Sequence, residues 1–142
     1  CRRALEQAMR MFGGAGARDE DSHNIIGALV GSDETLLAGF RATSDIHLGC
    51  GGEAVPLLRS CLSAHRSDSR RHAIYGARLA RAYAQAGDPD QACVLALQAL
   101  STGSAVDSLS TRVELRRTLA PLNRWPARHD VTEVRHQITA LP

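Results

Sequence analysis

The side chains able to do chemistry in this sequence are few and scattered. Six histidines, His23, His47, His65, His72, His129 and His136, stand apart, and none falls in an HExxH pair or another two-ligand motif. Cys61 and His65 lie four positions apart, a spacing that sets both on one face of a helix, and Cys50 is close by in sequence. A transition metal there would need three or four such ligands converging. Cys61, however, falls among Ala54, Leu57, Leu58 and Leu62 at helical spacing, which reads as a packed core thiol. Ser60, His65 and Asp68 make a nucleophile, base and acid on paper, but no nucleophile elbow surrounds any serine. Gly49-Cys50-Gly51-Gly52 precedes a helix and invites a phosphate cradle. It lacks the Lys-Ser/Thr that follows in a P-loop and the strand that precedes one, and reads as a turn between paired helices.

What remains is charge. Arg70-Arg71-His72, Arg78 and Arg81 cluster in one stretch, and the spacing of Arg71, Arg78 and Arg81 puts part of this charge on a single helix face. Such a face can receive an acidic peptide or a phosphate, and a plain solvated face accounts for it as well. Tyr75, in the same stretch, is the candidate aromatic anchor. With no catalytic residue, metal site or cofactor in view, the chain reads as a binding module and not an enzyme.

The composition agrees. In 142 residues, 44% are apolar, enough for one domain with a core, and the apolar residues are mostly Ala and Leu with only 4% aromatics, which favours an all-α chain. The charge is +2 from 17 basic and 15 acidic groups, too near neutral to mark a nucleic-acid surface. Every basic residue is Arg and none is Lys, a bias of GC-rich genomes. Cys1, Cys50, Cys61 and Cys93 are irregularly spaced, as expected for free thiols in a reducing cytoplasm. No apolar run approaches the ~20 residues that cross a bilayer. Opening on Cys1, the sequence is expected to be a piece of a longer chain.

The elements that must position these residues are helices. Ala4, Leu5, Ala8, Met11 and Phe12 predict a first helix from about Arg2, stopped by Gly13-Gly14, and residues 13–32 read mostly as a loop, with room for one short helical segment near the apolar knot at Ile25, Ile26, Leu29 and Val30. Ser32 or Asp33 is expected to cap a helix carrying Leu36, Leu37 and Phe40, ended by Gly49, Gly51 and Gly52. Glu53 to His65 makes the next, with Pro56 tolerated in its first turn. Arg71 to Ala86 is the clearest helix, stopped at Gly87, and Asp88-Pro89 starts another running to Leu100. A loop over Ser101 to Asp107, a helix from Ser108 stopped by Pro121, and a last helix over Val131 to Leu141 complete the reading.

Leu79-Ala80, Tyr83, Gly87, Ala92, Ala96 and Ala99-Leu100 follow the pattern of a tetratricopeptide repeat, with small residues where paired helices touch and a large one filling the gap. Ala42, Gly49, Ala54, Leu58, Cys61 and Leu62 form an earlier copy at an offset of 38 residues (92 − 54), with Asp45 where Tyr83 would stand. Residues 33–65 and 71–100 are thus the best repeats of a single domain spanning 1–142, and 108–141 a divergent capping pair. The stretch from Arg78 to Cys93, with Arg116-Arg117 and Leu119-Ala120-Pro121, further resembles the C-terminal region of actinobacterial helix-turn-helix regulators. That resemblance implies stacked antiparallel hairpins, a sensory or dimerising role in transcription regulation, and contact with DNA only through a domain outside this sequence. The expected partner is a protein, a peptide or a small regulatory ligand, held at Arg71, Tyr75, Arg78 and Arg81, the alternative being a homodimerisation module without a ligand.

Overall fold

The structure is a computed structural model that describes residues 23–142 together with Arg3 and Gln7, with side chains from residue 34 onward. The expected first helix and residues 13–22 lie outside the described residues, apart from Arg3 and Gln7, which are helical and exposed. Among the described residues there are six α-helices and no strand: α1 (His23–His47), α2 (Gly51–Ala64), α3 (Ser69–Ala86), α4 (Pro89–Ala105), α5 (Leu109–Leu122) and α6 (His129–Thr139). None is long and apolar enough to cross a membrane.

Three connections share one device. After α1, Cys50 N–H reaches back to Asp45 C=O at 2.8 Å and Gly49 N–H to Ile46 C=O at 3.1 Å, with Gly49 at φ +79°. After α3, Asp88 N–H bonds Tyr83 C=O at 3.0 Å across Gly87 at φ +91°. After α4, Ser108 N–H bonds Gly103 C=O at 3.2 Å across Asp107 at φ +45°. Each is a left-handed cap satisfying carbonyls that the helix end leaves open, and an aspartate can serve where glycine usually stands. The following helix is started at once by Asp88, whose carboxylate accepts from Gln91 N–H at 3.0 Å, or by Ser108, which accepts from Thr111 N–H at 3.3 Å.

Several sequence expectations are corrected. The helical segment near Ile25 to Val30 is present, but the loop expected around it does not hold for 23–32, since α1 runs unbroken through Ser32 and Asp33, which therefore cap nothing. Ile26, Leu29, Val30, Asp33, Leu36, Leu37 and Phe40 keep helical spacing, and each interior glycine, Gly27, Gly31 and Gly39, costs only ~1 kcal/mol against that register. Gly49 alone ends α1; Gly51 and Gly52 form the first turn of α2. The loop expected at Ser101 to Asp107 is helical to Ala105, where Thr102 bonds Gln98 C=O at 3.0 Å and Gly103 packs on Thr111. Pro121 lies inside the last turn of α5, which runs to Leu122, instead of stopping the helix before it.

Packing is local in the chain. α1 meets α2 and α3, α3 meets α2, α4 and α5, and α4 and α5 both meet α6; no helix contacts one more than two places away among the described elements. The turns between α1 and α2 and between α3 and α4 are short enough to force antiparallel hairpins. α3 is central because it is built of alanine: Ala73, Ala77, Ala80, Ala82 and Ala84 are all buried, so neighbouring backbones come close on every side. At the tightest approach a Cβ added to Gly51 would lie 2.3 Å from the Ala82 carbonyl oxygen. Two apolar clusters result, one around Ile46, Leu58 and Leu79 and one around Leu115, Leu122, Val134 and Ile138, and Tyr83 and Leu95 touch both.

Candidate functional site

α3 presents a narrow solvent side, and Arg71, Ile74, Arg78, Arg81 and Gln85 recur along it at helical spacing. The structure divides these residues into two groups. At the N-terminus, Asp68 caps the helix by accepting from Arg71 N–H at 3.0 Å, and the Arg71 guanidinium lies 3.4 Å from the same carboxylate. This capping holds the Asp68 carboxyl below its usual range, with the neighbouring guanidinium adding to the effect. Arg71 also contacts His65 Nε2 at 3.3 Å, while His65 Nδ1 donates to Cys61 C=O at 2.8 Å. Cys61 and His65 therefore meet through a backbone carbonyl and not through the thiol, which instead donates to Thr35 C=O at 3.5 Å. Burial pushes the Cys61 thiol up. No three His, Cys, Asp or Glu among the described residues converge as a metal site would require.

Tyr75, expected as an exposed anchor, is 7% exposed. Its position on α3 turns it toward α1 and α2, where its ring lies 5.3 Å from that of His65 and its hydroxyl abuts Gly39, whose added Cβ would lie 2.7 Å away. Desolvation, reinforced by Cys61, raises its phenol above the ordinary value. It is a core residue between helices.

Arg78 and Arg81, about two and three turns beyond Arg71, converge on α5. Arg78 Nε stands 3.5 Å and Arg81 Nη1 3.9 Å from the carboxylate of Glu114, to which Arg117, one turn further along α5, donates at 3.2 Å. Glu114 is only 7% exposed at its side chain, against 22%, 15% and 48% for Arg78, Arg81 and Arg117. Three guanidiniums thus surround one carboxylate, and the cluster carries a surplus of +2 (three minus one). The surplus shows in hydrogen bonding too: Arg78 Nε and Arg81 Nη1, although ion-paired with Glu114, and Arg81 Nε are buried without a hydrogen bond. Burial and the nearby Arg117 both lower the Arg81 guanidinium, with Glu114 opposing them.

Glu114 was not singled out in the sequence, and Arg117 stood there only within the Arg116-Arg117 pair that carries the resemblance to regulators. A signal was present: Thr111, Glu114 and Thr118 share a helix face beside Leu115 and Leu122, and a carboxylate on an inward stripe demands a cation from elsewhere. Exposed apolar side chains occur on the same helices. On α1, Leu36 and Phe40 stand one turn apart, 50% and 56% exposed, beside the Gly39 edge that meets α3; on α5, Leu109 is 65% exposed and Val113, one turn before Arg117, 36%. A separate cavity of ≈ 160 Å³ lies between α4, α5 and Leu141, but the charged groups at its rim, Arg112 and Asp107, are paired with each other at 2.6 Å. Compared with models of protein families, with curated proteins and with solved structures, the chain matches none.

Proposed function

We propose that this chain is a tetratricopeptide-like helical-repeat module that holds a protein or peptide along the side formed by α1, α3 and α5. In this reading it is the sensory or dimerising part of a bacterial transcription regulator, with no catalytic function of its own. The observation that carries the reading is the order of contacts: hairpins stack so that each helix meets only neighbours within two places, as in a repeat array. In this reading the first helix of every hairpin lines one side, and those helices offer exposed Leu36 and Phe40 on α1, partly exposed Arg78 and Arg81 on α3, and Arg117 and Val113 on α5. Apolar anchors beside unspent guanidiniums suit a peptide with both kinds of side chain.

Peptides selected from a random library on this chain, followed by amide chemical-shift mapping, test the reading. Shifts should gather on α1, α3 and α5. Shifts confined to α2, α4 and α6, or a library that yields no binder, would sink it. Leu109, 65% exposed at the start of α5, favours a second reading, pairing with another copy of the chain, and concentration-dependent sedimentation distinguishes that case.

A further inference from the structure

We infer that the Arg78, Arg81, Arg117 and Glu114 cluster is a binding site for a phosphomonoester dianion. Three features converge on this chemistry. The surplus of +2 matches the charge of ≈ −1.5 to −2 on a phosphomonoester at pH 7, whereas a carboxylate would leave half of it standing. The donors come from two helices, α3 and α5, and gather around Glu114 from different directions, an arrangement that the several oxygens of a tetrahedral anion set beside that carboxylate can span. Arg78 and Arg81 retain donors that Glu114 leaves unsatisfied, and leaving buried donors without partners is costly unless something supplies acceptors.

Glu114 has a definite part in this site. It keeps Arg78, Arg81 and Arg117 gathered while the site is empty, and it is too deeply set to leave with the ligand. Arg117, about half exposed and on the rim, is the group that an entering phosphate meets first, with Arg78 behind it. The inference rests on the binding face proposed above but concerns only its chemistry. A phosphate on a partner's side chain and a free phosphate share that chemistry.

The test is calorimetric titration of the intact chain with four probes: inorganic phosphate, and a capped Ala-Leu-Ala-X-Ala-Leu-Ala peptide with phosphoserine, Glu or Ser at X. Saturable binding is expected for phosphoserine, weaker for Glu, and at least about tenfold weaker for Ser, the worth of one or two charge-assisted hydrogen bonds. Arg117→Gln should lower phosphate affinity about tenfold, while Arg59→Gln, which removes the same charge from the exposed side of α2, should leave it unchanged. Inorganic phosphate binding as tightly as the phosphopeptide, with the same loss in Arg117→Gln, supports the site and names free phosphate as its source. Equal losses in the two variants would reduce the effect to net charge and overturn the inference. So would a Glu peptide binding as well as phosphoserine, or no binding of any phosphate. Library-selected peptides that still bind in those cases would leave the wider binding face standing without its phosphate.

Discussion

Glu114 concentrates more consequence in one side chain than any other polar residue of α5, because two arginines from α3 and one from its own helix point at it. Removing one partner of a buried ion pair leaves the other charge uncompensated and typically costs 3–5 kcal/mol. The arginines here keep some solvent, so Glu114→Ala is expected near the lower end, about 3 kcal/mol, measured as a shift in urea midpoint at constant slope. Arg117→Gln should cost under ~1 kcal/mol, since its guanidinium is half in water. Equal costs for the two would mean that Glu114 is not the hub. The thiols make a second comparison at this scale. Burial, then Asp130, pushes Cys93 up to about 11 from 9.0. A folded value above the unfolded one adds stability that is whole below pH 9 and is lost as pH climbs through 11. Folded chain treated with iodoacetamide at pH 8 should label half-exposed Cys50 first, with Cys61 and Cys93 labelled only on unfolding. Early labelling of Cys93 would contradict its burial.

Among the elements, the glycines of α2 separate two effects that sequence alone merges. Gly51 and Gly52 are adjacent and both helical, yet a Cβ on Gly51 would meet the Ala82 carbonyl at 2.3 Å and the Gln85 side chain at 2.6 Å, while one on Gly52 meets nothing within 4 Å. Gly51→Ala is therefore expected to destabilise by about 1–3 kcal/mol through overpacking, and Gly52→Ala to stabilise by up to about 1 kcal/mol through helix propensity. Opposite signs in thermal unfolding are the expected result; a stabilising Gly51→Ala would show that α2 and α3 stand further apart. The sequence made most of α3 and the start of α4 legible because periodicity, the Asp88 cap, Pro89 and Gly87 all agree there, while the Asp68 cap starts α3 at Ser69, two residues before the expected Arg71. It misled at 23–32 and 101–105, where Gly, Ser and Thr argue locally for a loop and register or packing overrides them. The candidate site was half legible: Arg78 and Arg81 followed from spacing, but their partner lies 36 and 33 positions on (114 − 78 and 114 − 81), a distance that no local pattern spans. Tyr75 was misread for a related reason, since its position on α3 alone does not say that α1 and α2 cover that side.

For the whole molecule, contacts confined to near neighbours raise the question of what makes the chain unfold as one unit. A stack of hairpins is held by each unit's own stability plus the interfaces between units, so it can fray from its ends if one interface is weak. Here the two apolar clusters are centred on different hairpins, and Tyr83 and Leu95 are the large side chains that touch both. They lie on α3 and α4, the hairpin in the middle, whose other inward residues are mostly alanines too short to reach across. Tyr83→Ala should accordingly cost about 2–3 kcal/mol, somewhat below the figure for a fully buried aromatic because Tyr83 is only partly covered. The larger effect should be on cooperativity. In the unaltered chain, amide exchange is expected to be slowest in α3 and to fall off together toward α1 and α6. In Tyr83→Ala, the protection of α1 and α2 should drop well below that of α4, α5 and α6, and the urea transition should broaden to a lower slope. Leu122→Ala, inside one cluster and away from the other, serves as the comparison: a similar cost, with the two halves still losing protection in step. If both variants keep a single sharp transition, the alanine contacts along α3 couple the hairpins by themselves, and the bridging role assigned to Tyr83 fails.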